Sequence, residues 1–458
     1  MVDKLLVRMY NVGLGDCIYI RVPDNGANRH ILIDCGNTDG DEDLLGRAVD
    51  HLIGELAHDP TNQDLDLLVV THPHQDHIAG FGQVADKFLK FKIKNIWLSA
   101  SMNKQHPQAP KSLQLGEFAD ELLEELSSLP LDPAFDGLVK ELFALSNKPA
   151  LTALRETLPD RNGLELDKNF RYVHDEDEPP SLFEAGSTKL HILGPRNDID
   201  SEYLGKIENA LSEFTGFTGL MAGEQASTFS KNWVNAAFHP KNINTRDFRR
   251  LRERLFKNAL AFVLSNSELV NNTSVVLLLE WGGRRLLFPG DAQCLLTRDG
   301  QYKKGSKNGS WNVMWHYYHK DKLKDPLDFL KVGHHGSHNA TPWVKPNGEE
   351  HAVNKIFDTL VPKAGAQKTQ VVISTERMKY PTIPDRHLLE ELGKRVSTTR
   401  KYDEPDHLAG RTTGGKWDDY EPEEILVPAK TRQPLRTDLE FQHTSAAVPF
   451  IDIEFEAA

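Results

Sequence analysis

Apolar positions fall into short, dense runs near the start of the chain and into helical spacings further on. Residues 5–10, 17–22 and 30–36 are apolar runs of strand length. Gly13 and Gly15 separate the first two, and Asp24-Asn25-Gly26, a tight hairpin signal, separates the second and third. Leu44, Leu45, Val49, Leu52 and Ile53 recur at helical intervals and predict an amphipathic helix over residues 42–57. Leu67-Leu68-Val69-Val70 is apolar without alternation, the pattern of a strand buried on both faces. Ile78-Ala79-Gly80-Phe81-Gly82 reads as a turn into a helix, followed by a helix near residues 84–90 and a strand over 93–99. Strands alternating with helices predict a layered α/β architecture.

The rhythm changes at residue 101. Phe118, Leu122, Leu123 and Leu126 are spaced for one helix, and Leu138, Leu142, Leu145, Leu151 and Leu154 for one or two more. Residues 101–180 therefore read as a helical insertion ending in the acidic Asp175-Glu176-Asp177-Glu178-Pro179-Pro180, a solvated loop or linker. Residues 181–195 return to the core with a strand over 189–195. Residues 196–260 form a second, mostly helical insertion. There Arg246, Arg249, Arg250, Arg252, Arg254 and Lys257 interleave with Phe248, Leu251 and Leu255. That pattern suits a solvated amphipathic helix, or one that tracks phosphates.

The core resumes over residues 261–400. It holds a hairpin of 274–280 and 285–288 around Trp281-Gly282-Gly283, strands over 329–332 and 371–374, and a helix near 387–392. Between them Trp311, Trp315, His316, Tyr317, Tyr318 and His319 form either a substrate lip or local packing. Residues 401–458 are a loop-rich C-terminal extension in which 450–455 alternate as a closing strand. With residues 1–100, the stretches 181–195 and 261–400 make up one interrupted core.

Composition narrows the class. A chain of 458 residues, 39% hydrophobic and 26% charged, suits a soluble globular protein of one large domain with insertions, or of two domains. No apolar run is long enough to span a bilayer, so no membrane role is expected. The N-terminus lacks a basic-then-apolar signal and enters a strand instead. Cys17, Cys35 and Cys294 are too few and wrongly spaced for a disulfide framework, which fits a reducing cytoplasm. The net charge of −13 counts against a broad basic groove for nucleic acid, although bound cations would add positive charge locally.

The chemistry concentrates after the Val-rich strand. Thr71-His72-Pro73-His74-Gln75-Asp76-His77 delivers three imidazoles and a carboxylate within six positions, a nitrogen and oxygen donor set that suits borderline divalent metals. His72 and His74 lie two apart, so in extended chain they point the same way. Asp291, directly after a buried strand, needs a partner for its charge, and a metal supplies one. His334 and His335 follow the strand over 329–332.

The H-x-H-x-D-H order resembles the metal loop of the metallo-β-lactamase fold superfamily. Val12-Gly13-Leu14-Gly15-Asp16, Asn272-Thr273-Ser274, Pro289-Gly290-Asp291 and Lys331-Val332-Gly333-His334-His335-Gly336-Ser337 resemble its ComEC-type branch, which includes the nuclease part of the competence DNA-uptake channel. The resemblance implies a four-layer αβ/βα sandwich with helical insertions and two divalent ions, zinc or manganese, with magnesium as a further alternative. His72 and His74 would hold the first ion. Asp76, His77 and His334 would hold the second, with Asp291 between them. Asp76 would also orient the nucleophile, a metal-bridging hydroxide. His335 would donate a proton, or the roles of His334 and His335 are exchanged.

By the same resemblance Asp34 braces the metal loop, or simply forms a turn, and Asp16 lines the site or caps its own turn. The superfamily's third histidine on the first ion is missing: the matching stretch reads Val270-Asn271-Asn272-Thr273-Ser274, with Asn272 a weak neutral donor and His191 or His239 as substitutes. Ile383-Pro384 stands where relatives carry His-Pro.

The expected function is a metal-dependent hydrolase, first of all a phosphodiesterase acting on DNA. A small-molecule ester, lactone or β-lactam hydrolase is one alternative. The other is a partner-regulated subunit of a multiprotein assembly, such as a phage-defence complex, docked through the helical insertions.

Overall fold

Two β-sheets lie face to face with helices on their outer sides. The computed structural model describes residues 4–38, 41–108, 147–178, 181–203 (apart from 185 and 187), 268–296, 303–346 (apart from 306), 351–363, 369–375, 383–393 and 450–458, with 244, 246, 247, 250 and 395.

The first sheet begins with β1 (Leu5–Tyr10), β2 (Ile18–Asp24) and β3 (Ala27–Ile33), antiparallel neighbours. Asn25 and Gly26, with φ of 50° and 83°, close the β2–β3 hairpin in the left-handed conformation that such turns require. Helix α1 (Glu42–His58), capped by the Asp41 side chain on the Leu44 N–H, crosses over to β4 (Leu67–Val70), which runs parallel to β3. Helices α2 (Gln75–Gln83) and α3 (Ala85–Phe88) lead to β5 (Ile96–Ser99), parallel to β4. The full order is β12-β1-β2-β3-β4-β5-β6, where β6 is Phe170–Val173 and β12 is Phe450–Phe455. The second sheet has the order β11-β10-β9-β8-β7, from β7 (Lys189–Gly194), β8 (Val276–Trp281), β9 (Arg284–Phe288), β10 (Phe329–Lys331) and β11 (Gln370–Val372).

Side-chain alternation distributes each strand between two cores. Leu67 and Val69 point between the sheets, where they join Leu277, Leu279, Leu286 and Phe288. Leu68 and Val70 point the other way, onto Leu45, Val49 and Leu52 of α1 and Phe81 of α2. That two-sided burial is why β4 carries no polar residue. In the second sheet Val276, Leu278, Leu287 and Leu330 face Trp311, Phe357, Leu388 and Leu392 on the outer side. Each fully buried Val, Leu or Phe contributes about 1.5–3 kcal/mol. The result is the helix–sheet–sheet–helix sandwich of the metallo-β-lactamase fold.

Some boundaries differ from the sequence reading. β3 ends at Ile33, so Asp34, Cys35 and Gly36 belong to the loop beyond it. β5 starts at Ile96, because Ile93 makes only an isolated bridge to Leu65. Strand β6 lies inside the stretch read as an insertion and extends the first sheet, parallel to β5. The helical segment from Lys148–Thr152 to Leu158–Asn162 buries Ala150, Leu154 and Leu158 in the core around α1 and α2. The helices expected around Phe118–Leu145 and most of the basic stretch near Arg254 lie outside the described residues. No helix among the described residues is long and apolar enough to cross a membrane.

Candidate metal centre

Loops from both sheets meet where parallel strands end, the usual place for ligand sites in α/β sheets. β3 leads to Asp34, β4 to Thr71–His77, β9 to Asp291, β10 to His334 and His335, and β11 to Ser374. The two sheets are joined here by backbone, since the Val275 N–H donates to the Thr71 carbonyl at 2.9 Å. Close packing at this seam dictates two glycines. A Cβ on Gly290, at φ +56°, would meet the Cβ atoms of Ser274 and Thr71 at 2.9 and 3.0 Å. One on Gly36 would meet the Gln75 carbonyl oxygen at 2.5 Å and the His77 nitrogen at 2.6 Å.

Nε2 of His72 and Nδ1 of His74 face each other at 3.1 Å. Two nitrogens bound to one tetrahedral ion at ~2.0–2.1 Å lie roughly 3.3 Å apart, so this spacing suits a shared cation. On its far side the His72 ring meets the hydroxyls of Thr71 at 3.1 Å and Ser274 at 3.3 Å through Nδ1. Asp291 completes this side, with Oδ2 3.8 Å from His72 Nε2. Burial pushes the His72 imidazole well below its ordinary range and His74 down to about 4. Both rings are therefore neutral, the form that binds a metal.

Beside this pair, ligand atoms of Asp76, His77, Asp291 and His335 all lie within 4.8 Å of one another. Their hydrogen bonds make the donor chemistry specific. His77 Nδ1–H donates to Asp34 Oδ2 at 2.8 Å, which leaves Nε2 bare in a neutral ring. That Nε2 faces Asp291 Oδ1 at 3.3 Å and Asp76 Oδ2 at 3.6 Å. His335 Nδ1–H donates to the Ser374 carbonyl at 2.8 Å, and its Nε2 sits 2.7 Å from Asp76 Oδ2. In both places two acceptors confront each other and need a proton or a cation between them. Among the described residues, Nε2 of His77 and Oδ2 of Asp291 are buried without a hydrogen-bond partner.

The charges agree with this. Burial raises the Asp76 and Asp291 carboxyls, but the surrounding imidazoles, His77 foremost, outweigh it and hold both below the usual carboxylate range. Burial lowers His77 and His335, but facing carboxylates reverse it and raise both, so that without a metal a proton takes that place. The residues present thus fit a divalent metal.

The supporting residues have defined partners. Asp34, at φ 57°, accepts from the Thr71 N–H at 2.7 Å and hydroxyl at 2.6 Å as well as from His77. Asp16 is buried and accepts from Lys331 Nζ and the Ser374 hydroxyl. Together Asp16 and Asp34 form a second cluster around the opposite edge of the His77 ring. Asn272, expected in the place of a third histidine, spends its side chain on protein groups. Its Oδ1 accepts from the Ser310 N–H at 2.8 Å and the Gln293 N–H at 3.3 Å, and its Nδ2 donates to the Glu268 carbonyl at 2.9 Å.

His334 and His335 divide differently from the favoured sequence reading. His335 is the buried member whose ring enters the Asp76–His77–Asp291 group. His334 is partly exposed, with Nδ1 against Ser337 Oγ at 2.9 Å and Gln293 Nε2 at 3.3 Å, and only its backbone N–H reaches Asp291 Oδ1, at 2.9 Å. Positive φ at both residues, 44° and 52°, swings the chain through a tight left-handed bend that places the two rings differently. His191, a considered substitute donor, sits on β7 and bonds Glu280 at 3.0 Å, while His239 lies outside the described residues. Of the aromatic stretch, Trp311 and Met314 pack in the second core and His319 pairs with Asp175 at 2.8 Å, which makes much of it local packing.

Residues 10–94 match the metallo-beta-lactamase superfamily. The match runs from the last residue of β1 through the His72–His77 loop to the stretch before β5, and no curated protein matches the chain significantly. Members of this superfamily are mostly hydrolases, and the match with the His/Asp cluster supports a metal-dependent hydrolase. Thr71, Ser274 and Lys331 stand inside the motifs singled out in the sequence and Ser374 in an expected strand, but the sequence reading gave none of the four a role at the site; Lys331 is also a lone charge inside the apolar run Phe329-Leu330-Lys331-Val332.

Proposed function

We propose that this protein is a two-metal phosphodiesterase acting on DNA. His72 Nε2, His74 Nδ1 and Asp291 would hold one ion; Asp76, His77 Nε2, His335 Nε2 and Asp291 the other. A bound pair of divalent ions acidifies water and neutralises charge on phosphoryl oxygens. The opposed acceptors at His77, His335, Asp76 and Asp291 carry the metal part of this reading, since each facing pair needs a proton or a cation between its two acceptors.

The chain's own groups divide the remaining work. The Asp76 side chain is 13% exposed and Asp291 only 1%, so Asp76 is the carboxylate that would accept a hydrogen bond from the attacking water. His334, partly exposed and steadied by Ser337 and Gln293, would meet the substrate. With Asn272 committed to backbone groups, the first ion has two imidazoles and a carboxylate, a set that tolerates manganese or magnesium as well as zinc. The likeness of Val12–Asp16, Asn272–Ser274 and Lys331–Ser337 to the ComEC-type branch supports DNA as the substrate.

The test is plasmid and oligonucleotide cleavage by the full chain with Mn²⁺, Mg²⁺ or Zn²⁺, beside Asp76→Ala. Metal-dependent cleavage abolished in a folded Asp76→Ala protein is the expected result. Turnover confined to lactams or esters would replace the reading with a small-molecule hydrolase. Silence until a protein partner is added would make the chain a regulated subunit.

A further inference from the structure

We infer that Lys331, Asp16 and Ser374 form a positioning chain across the two sheets that holds His335 and Asp76 in place at the second metal site. The inference rests on the metal-centre reading above and adds residues that reading does not use. Lys331 ends β10 in the second sheet, and its side chain is 1% exposed. Asp16 lies between β1 and β2 of the first sheet and is equally buried. Lys331 Nζ donates to Asp16 Oδ2, and the Ser374 hydroxyl donates to Asp16 Oδ1.

Both ends of this chain reach proposed ligands. The Ser374 carbonyl accepts the Nδ1–H of His335 at 2.8 Å, which commits that proton and aims Nε2 at Asp76. The Asp16 N–H donates to the Asp76 carbonyl at 2.9 Å, and the Asp16 carbonyl accepts from Gly36 at 3.0 Å, beneath the metal loop. One residue thus ties the two sheets together, its backbone bonded to the Asp76 segment of the first and its carboxylate to Lys331 and Ser374 at the strand ends of the second. Asp16 Oδ2 also lies 3.7 Å from His77 Nδ1, so Lys331 offsets a negative charge that would otherwise compete for that ring.

A buried pair of this kind is a weak source of stability, because desolvation offsets most of its attraction. A mere clamp between sheets would therefore be replaceable by neutral groups with no selective effect on either ion. A positioning chain would not. Partners that orient metal ligands typically shift metal affinity by about 10–100-fold when removed.

The experiment titrates metal-stripped, full-length protein with Co²⁺, following visible absorption bands and melting temperature. Two variants are compared with the parent: Ser374→Ala, which removes one hydroxyl, and the double variant Asp16→Asn/Lys331→Met, which removes the pair without stranding a charge. The parent should take up two equivalents. Each variant should bind one of them about 10–100-fold more weakly, the other unchanged, with little change in the metal-free melting temperature. Parental affinity for both equivalents, or equal weakening of both, overturns the inference while leaving the metal centre intact. A parent that takes up no Co²⁺ overturns both.

Discussion

Asp34→Asn keeps the shape of the side chain and removes one acceptor. The carboxylate now takes three hydrogen bonds, from the Thr71 N–H at 2.7 Å, the Thr71 hydroxyl at 2.6 Å and His77 Nδ1–H at 2.8 Å. An amide oxygen in the Oδ1 position retains the first. The amide NH2 in the Oδ2 position then confronts the other two donors. The Thr71 hydroxyl can turn and accept, but the His77 N–H cannot. Losing one or two bonds to a charged acceptor at ~1.5–3 kcal/mol each sets the destabilisation at about 1.5–6 kcal/mol. The His77 ring can relieve the clash only by moving its proton to Nε2, which removes the lone pair facing Asp291 and Asp76. Metal affinity should then fall by about 10–100-fold. Urea denaturation of the metal-free protein measures the first effect and metal titration the second. A variant within about 0.5 kcal/mol of the parent that binds metal equally well would refute the reasoning.

Other expectations follow from the same geometry. His335→Ala should lose one metal per chain, whereas His334→Ala should keep both and lose substrate turnover; metal analysis of the two variants that shows the reverse would restore His334 as the ligand. Gly36→Ala should weaken both folding and metal binding, because its Cβ would meet backbone atoms of the metal loop at 2.5–2.6 Å, and a parental melting temperature would contradict that. Stability of the metal-free protein should fall as pH drops from 6.5 towards 4. In that window an unfolded His74 is protonated while the folded one, held down to about 4 by burial, stays neutral. The difference amounts to about 3 kcal/mol, lost on the acid side, and denaturation curves that do not weaken over this range would exclude it.

Much of the scaffold was legible because its signals are local. The unbroken apolar run of β4 and the Asn25-Gly26 turn each report on a few adjacent residues, and the structure has them where the pattern placed them. The convergence of His72, His74, Asp76 and His77 was legible for the same reason, these side chains lying within six positions. Strand β6 was not, because Phe170–Val173 is four residues long, two of them only half-buried, and sits among polar neighbours. The different placement of the His334 and His335 rings depends on two left-handed residues in succession, which their side chains do not advertise. The Lys331–Asp16 pair joins positions 315 residues apart and has no local trace beyond an unexpected charge in a buried strand.

The most direct measurement is the metal content of the full-length protein. It would be loaded with excess Mn²⁺ or Zn²⁺, desalted and analysed by atomic emission beside His72→Ala and Asp291→Ala. Two ions per chain are expected in the parent, with fewer in each variant. A folded parent that retains none, or variants that retain as much as the parent, would contradict the proposal that these strand ends converge to bind cations.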